Sequence, residues 1–304
     1  MDNRYLWDRT GEPDPEIQRL EQMLGEFRHR PRRVNRWPAA IAAAALIAFS
    51  SWLFRAPQTG WQFERLSAKG DVLQHSLLPT GGTLETDSVS RAQLQIADIG
   101  TLQLDPDTHV KLISSKTNNY RVVLDHGTIH ALITAPPRNF FVDSPGGVAV
   151  DLGCKYTMQV DRTTGNGRLE VELGWVAFEA QGRESFIPAG AACSTSRDKG
   201  PGIPVMLSSP AFRGAVAQYE ANGTLQDLLA TASHDDVFSL WHVLQRVPEY
   251  ERKAVYKQMA ALSPVPPQVT EEGVLQLDRK MLDAWWDSFG LNDASFWREH
   301  DRNT

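Results

Sequence analysis

Two pairs of titratable residues have a spacing that could support chemistry. His126 and His130 in "HGTIH" would share one face of a strand but lie about 13 Å apart. That separation is too large for one metal ion, unless Gly127 turns the chain sharply. Asp105 and Asp107 in "LDPDTH" would lie about 6.5 Å apart on a strand, which a carboxylate pair could use for acid/base catalysis. "DPDT" is also a common polar turn, so we interpret the aspartate pair as structural. We interpret the histidine pair as structural because of its separation.

The sequence contains none of the common catalytic or nucleotide-binding motifs. There is no Walker loop, no G-x-S-x-G elbow, no H-E-x-x-H pair and no dinucleotide fingerprint. We therefore predict that the protein is not an enzyme and needs no metal or cofactor. The net charge of -6, with no long basic tract outside residues 28–36, argues against a nucleic-acid-binding surface.

The two cysteines, Cys154 and Cys193, lack the paired spacing of zinc or redox sites. In an exported region they could form a disulfide, whereas in the cytosol two buried thiols would be expected. The disulfide predicts that both sulfur atoms resist alkylation until the protein is reduced.

Residues 37–54 form a run of 18 residues without a charge, and they predict a single transmembrane helix. A helix of that length spans about 27 Å, which is enough for the core of a bilayer. Basic residues near a membrane span stay in the cytoplasm, so the residues before the run are predicted inside and those after it in the periplasm. The topology-setting arginines are Arg28, Arg30, Arg32, Arg33 and Arg36.

A cleavable signal peptide and a buried core helix are the alternatives to this anchor. A signal peptide would start near Met1 and end in small residues, whereas this run starts at residue 37 and ends in "SWLFRAPQ". We therefore expect an uncleaved protein of the bacterial inner membrane.

The 36 residues before the anchor predict a cytoplasmic segment with an amphipathic helix. Asp14 is a suitable N-cap and Pro15 suits the first turn. So short a segment cannot bury an apolar stripe in a core of its own. The helix therefore lies on the membrane surface, frays in water or docks on a cytoplasmic partner. Residues 1–26 carry three arginines against seven acids, which favours a basic partner. The candidate partner-binding residues are Tyr5, Leu6, Trp7, Ile17, Leu20, Leu24 and Phe27.

The remainder of the chain predicts a mainly β protein with a C-terminal α-helical region. After a linker at residues 55–69, residues 70–208 consist of short alternating runs such as "TLQLDP" and "RLEVELGWVAF", separated by glycine turns. This texture predicts a sandwich or a solenoid-like stack. Residues 209–304 predict helices, with a capping box at Ser233 and Asp236. A late aromatic-rich stripe is expected in the core, and it consists of Leu282, Trp285, Trp286 and Phe289.

Several pieces of the β region together carry a resemblance to a known family. The run "GGTLETDSVSRAQLQIADIGTLQLDPDTHVKL" resembles the first half of the FecR domain, with its Gly–x–Leu–x–Thr step, Ser–x–Ala segment and "dG–x–L–x–L–x–P–x–T" pattern. "FFVDSPGGVAVDLGCKYTMQV" is similar to the second half, and "LEVELGWVAF" and "IPAGAACS" resemble the closing strands. The resemblance covers about residues 70–205.

The resemblance implies a regulator of an extracytoplasmic-function sigma factor. FecR proteins combine a short cytoplasmic segment, one transmembrane helix and a periplasmic β domain, and they inhibit or activate the sigma factor through the cytoplasmic segment. The candidate partner-binding residues above would then face the sigma factor, and the periplasmic part would sense an unknown ligand or protein. The alternative is a membrane-anchored periplasmic scaffold or ligand-binding protein of the envelope without a sigma partner.

The sequence departs from the iron-siderophore members of that family after the β domain. Those members carry a small βαβ module that receives an outer-membrane transporter, whereas residues 209–304 predict helices. The resemblance therefore gives no support for iron or an outer-membrane transporter as the input.

Overall fold

The computed structural model describes residues 14–26 and 59–291. The chain divides into two compact units, Met1–Pro57 and Gln58–Thr304. The described part of the first unit is one helix, α1 (Pro15–Glu26). No helix within the described ranges is long and apolar enough to cross a membrane. The expected span at residues 37–54 lies outside those ranges, as do the five topology-setting arginines.

The described part of the second unit begins with sixteen strands, all but one pair of which run antiparallel. The strands are β1 (Gly60–Leu66), β2 (Val72–Pro79), β3 (Thr83–Glu85), β4 (Arg91–Ile96), β5 (Gly100–Leu104), β6 (His109–Lys116), β7 (Asn119–Ile133), β8 (Phe140–Ser144), β9 (Gly147–Asp151), β10 (Lys155–Val160), β11 (Gly167–Leu173), β12 (Trp175–Ala180), β13 (Arg183–Pro188), β14 (Ala191–Ser196), β15 (Gly200–Pro201) and β16 (Val205–Met206).

Strand β7 belongs to two sheets and joins them. Its first half pairs with β6 and, in parallel, with β8, in a sheet ordered β3-β6-β7-β8-β9-β12-β13. Its second half pairs with β5 and β10, in a sheet ordered β2-β1-β4-β5-β7-β10-β11-β14. The change occurs at Gly127, whose φ of +98° suits glycine and whose backbone lies too close to Thr108 for any side chain.

The two sheets pack face to face, which makes the β region a sandwich and not a solenoid-like stack. Along β4, Leu94 and Ile96 are buried while Gln95 is exposed, as the period of two predicts. Trp61 of one sheet packs against Tyr120 and Phe140 of the other, with 6.4 Å between ring centroids in each case. These rings close the core between the sheets.

A helical tail follows the last strand. Its elements are α2 (Pro210–Asn222), α3 (Leu225–Thr231), a 3-10 turn (His234–Asp236), α4 (Val237–Leu244), α5 (Glu249–Leu262), α6 (Glu271–Leu275) and α7 (Arg279–Asp287). The capping box at Ser233 and Asp236 is confirmed, and the Ser233 amide donates to the Asp236 carboxylate over 2.9 Å. The mainly β fold with C-terminal helices is therefore as the sequence predicts.

The tail shares its core with the β sandwich. The ring of Phe186 in β13 lies 5.9 Å from that of Trp286 in α7 and 6.5 Å from that of Trp241 in α4. His242 Nε2 accepts a hydrogen bond from the Phe186 amide over 3.1 Å. The predicted aromatic-rich stripe is buried, except that Phe289 is half-buried. The tail is therefore packed as part of the sandwich unit.

Candidate partner-binding helix and polar clusters of the β domain

Helix α1 begins where the sequence predicts. The Asp14 carboxylate accepts a hydrogen bond from the Glu16 amide over 3.0 Å, which caps the first turn. Pro15 occupies the first helical position, where its missing amide costs nothing. The helix is 12 residues long and ends at Glu26.

The apolar side chains of α1 are largely exposed. Leu20 is 54% exposed and Leu24 64% exposed, while Ile17 is half-buried. Met23, which is 60% exposed, also belongs to this face, although it is not among the predicted residues. Its position three residues after Leu20 places it on the same face of the helix, which the sequence alone could have shown.

The remaining candidates for this surface lie outside the described residues. They are Tyr5, Leu6, Trp7 and Phe27. The structure thus brings together three of the predicted side chains, at Ile17, Leu20 and Leu24, on a helix with no buried residue.

The two cysteines are free thiols, which corrects the suggested disulfide. Cys193 lies opposite Leu169, which in turn lies opposite Met158, four residues beyond Cys154. Four residues along a strand and two strand spacings place the two Cα atoms about 16 Å apart, whereas a disulfide needs less than about 7 Å. Burial raises the pKa of Cys193 to about 12 and that of Cys154 well above its usual value.

His126 and His130 do not form a common site. Gly127 between them does turn the chain, but the two rings reach different neighbours. The His126 ring stacks on His109 with 5.8 Å between centroids, and its Nε2 lies 2.6 Å from the Arg162 guanidinium. Partial burial, the Arg162 cation and the nearby His109 ring lower the pKa of His126. No group of three metal-ligating side chains occurs within residues 14–26 and 59–291.

Asp105 and Asp107 also separate. The Asp105 carboxylate lies 3.0 Å from His130 Nε2 and 3.3 Å from Arg91 Nε. Asp107 adopts a left-handed φ of +55° in the turn that follows β5, as the polar-turn interpretation requires. His130 Nδ1 also contacts the Thr157 hydroxyl over 2.9 Å, so Asp105 belongs to a surface hydrogen-bond chain and not to a carboxylate pair.

A buried carboxyl group that the sequence patterns did not predict lies at the end of β9. Asp151 is 1% exposed, and desolvation raises its pKa to about 7. Its oxygens accept hydrogen bonds from the Gly153 amide over 2.7 Å and the Cys154 thiol over 2.5 Å. Strand alternation could have predicted its burial, because Asp151 lies two residues after the buried Ala149 on the same face of β9.

Comparison with known proteins identifies the central part of the sandwich. Residues 82–177, from β3 into β12, match the family model described as FecR protein. The resemblance to the FecR domain is confirmed. The FecR match ends within β12, so the last strands and the whole tail lie outside it. No curated protein matches the chain.

Two solved structures are distantly similar. Both are crystal structures of a protein titled "putative anti-sigma factor" from Parabacteroides distasonis ATCC 8503, at 1.65 and 2.50 Å resolution. Each is 12% identical with a TM-score of 0.35, and the match covers 39% of this chain. The chain spans 56% of the length of those chains. This likeness is too distant to carry a function over.

Proposed function

We propose that the protein is a FecR-type regulator, anti-sigma or sigma-activating, that links a periplasmic sensor to a cytoplasmic sigma factor. The FecR match at residues 82–177 supports the family, and the uncovered apolar face of α1 supports the partner site. An amphipathic helix recognises a partner by laying such a face into a groove. In this proposal residues 37–54 cross the inner membrane, with α1 inside and the sandwich and tail outside.

The observation that carries the proposal is the exposure of Leu20 and Leu24 on a capped helix of a FecR-type chain. The test uses the full-length protein in non-ionic detergent, with the purified extracytoplasmic-function sigma factors of the same bacterium as candidate partners. We expect one of them to bind, and L20E/L24E to weaken the complex by at least about tenfold.

The matched control is Q18E/Q22E, which adds the same charge on the opposite face of α1. We expect this control to bind the sigma factor within about twofold of the wild type. Equal losses for both variants would show a charge effect without a specific apolar contact. Failure of every sigma factor to bind the wild-type chain would overturn the proposal.

The proposed topology has its own test. Alkaline phosphatase fused after residue 59 should be active in the periplasm, and a fusion after residue 30 should be inactive. Activity of both fusions would contradict an inside location for α1.

An alternative function is a membrane-anchored scaffold or ligand-binding protein of the envelope that has no sigma partner. The observation that favours it is a cleft between β14, β15 and α2, all of which lie in the sandwich unit. Deletion of residues 1–36 separates the two functions, since it should abolish sigma control but leave a scaffold intact.

A further inference from the structure

A cleft of about 730 Å³ lies where the end of the sandwich meets the helical tail. One wall comes from β14, β15 and the turn between them, and the other comes from α2. Ligand sites in proteins commonly measure about 300–1,000 Å³. The FecR match ends before these elements, so the cleft lies mainly in the part of the chain that this match does not describe.

The charged side chains that line the cleft are mainly cationic. They are Arg183, Lys199 and Arg246, against one carboxylate, that of Glu220. This excess of positive charge contrasts with the net charge of -6 for the whole chain. Such a local field concentrates anions at the cleft.

The Glu220 carboxylate is held by neutral donors. Its Oε1 accepts from the Ile203 amide over 2.7 Å, and its Oε2 accepts from the Ser194 hydroxyl over 2.9 Å. Lys199 Nζ donates to the backbone carbonyl of Glu220 over 3.3 Å and not to its carboxylate. The carboxylate is therefore fixed as a structural acceptor that ties α2 to the strands.

Arg246 adds a half-buried positive charge to the cleft. Its guanidinium donates to the carbonyl oxygens of Pro201 and Glu184 and to the Ser185 hydroxyl, over 2.6–3.2 Å. All three acceptors are neutral, so they fix the guanidinium in place without cancelling its charge. Burial lowers the pKa of Arg246 because desolvation disfavours the charged form, and an anion bound nearby would favour that form.

The cleft also offers an apolar wall. Tyr219 is half-buried there, beside Ile203 and Ala217. Such a wall suits the apolar body of a small ligand.

We propose that this cleft binds a small organic anion. Its carboxylate or phosphate group lies between Arg183 and Lys199, and its apolar body packs against Tyr219. The inference does not require a sigma partner. Where the proposed function also holds, this anion is the periplasmic signal, because it bridges the sandwich and the tail and so stabilises their packing.

The binding test uses the full-length protein in non-ionic detergent and isothermal titration calorimetry. The probes are 1-naphthoate, 1-naphthyl phosphate and the neutral 1-naphthamide, which share one apolar body. We expect at least one anion to bind once per chain and at least about tenfold tighter than the amide. The two anions distinguish a carboxylate site from a phosphate site.

Three variants locate the site. R183Q/K199Q should weaken binding of the anion by at least about tenfold. K111Q/K116Q removes the same charge from β6, remote from the cleft, and should change the affinity by less than about twofold. A217W keeps every charge but fills the space beside α2, and it should also abolish binding.

The unfolding midpoint of each variant, followed by tryptophan fluorescence, shows that it remains folded. The proposal is overturned if neither anion binds, if the amide binds equally well, or if R183Q/K199Q and K111Q/K116Q have equal effects. Each of these results leaves the sigma-binding experiment on α1 unaffected, so the two proposals fail separately.

Discussion

Helix α1 and helix α7 both carry an apolar stripe, but only α7 buries it. Trp285 and Trp286 of α7 are fully buried, and Trp286 packs against Phe186 of the sandwich, whereas no residue of α1 is buried. Amphipathic pattern alone therefore does not distinguish a core helix from a docking helix. What distinguishes them is whether other elements of the same unit cover the stripe, as β13 and α4 do for Trp286 of α7.

Two substitutions to alanine, one in α7 and one in α1, should show the largest difference in stability. We expect W286A to lower the free energy of unfolding by about 3–5 kcal/mol, because a large buried ring is lost from the shared core. L20A should change it by less than about 0.5 kcal/mol, because the side chain is exposed. Thermal and urea unfolding of the full-length protein measure both. A large loss for L20A would show that α1 packs on the body after all.

The buried carboxyl group predicts a pH dependence for the sandwich. The pKa of Asp151 is about 7 when folded and 3.8 ordinarily, so the unfolded chain loses this proton first. The contribution of Asp151 to the free energy of unfolding is therefore largest below about pH 4. It falls as the pH rises to about 7 and then levels off. The total change is on the order of 4 kcal/mol.

The difference in unfolding free energy between the wild type and D151N, measured from pH 4 to 8, isolates this effect from the other carboxyl groups. The unfolding free energy of D151N should rise relative to that of the wild type as the pH rises. A difference independent of pH would contradict the burial of an ionisable group at this position.

Two glycines, one in β7 and one in α1, should respond in opposite directions to substitution by alanine. G127A should destabilise the sandwich by about 1–3 kcal/mol or more, because φ is +98° and Thr108 occupies the space of the added methyl group. G25A in α1, where nothing lies within 4 Å, should instead favour the helix by up to about 1 kcal/mol. Circular dichroism of the helix and unfolding of the body report the two effects. A neutral G127A would mean that β7 does not need its bend.

The two buried thiols predict a labelling pattern and no change in stability. Both are buried and free, so the folded protein should react slowly with a maleimide reagent, since burial suppresses the thiolate. After unfolding without reductant, we expect two labelled cysteines per chain by mass spectrometry. Unfolded chains that stay unlabelled until reduction would contradict the free thiols.

Local pattern predicted much of this molecule. Alternation along β4 and β11, the start of α1 at Asp14, and the capping box at Ser233 all depend on neighbouring residues, and all are present. The FecR pieces, in their order, predicted the family that residues 82–177 match.

Long-range placement was not predictable from the same patterns. The division of β7 between two sheets and the distance between Cys154 and Cys193 both follow from strand register across the sandwich. Asp151 was overlooked because a carboxyl group at an inward position contradicts the usual cost of burial. The cleft beside Tyr219 needs the tail and the sandwich together, and no single stretch of sequence contains it.

The contact between Phe186 and Trp286 sets the order in which the chain can mature. The two rings belong to one core, but Trp286 is synthesised after nearly all of the described chain. Strand β13 therefore waits with an uncovered apolar face until α7 leaves the ribosome, and non-local contacts of this kind close slowly. A chain that stops before α7 would present more of that face to chaperones and proteases, so the packing of α7 completes the core that β13 begins.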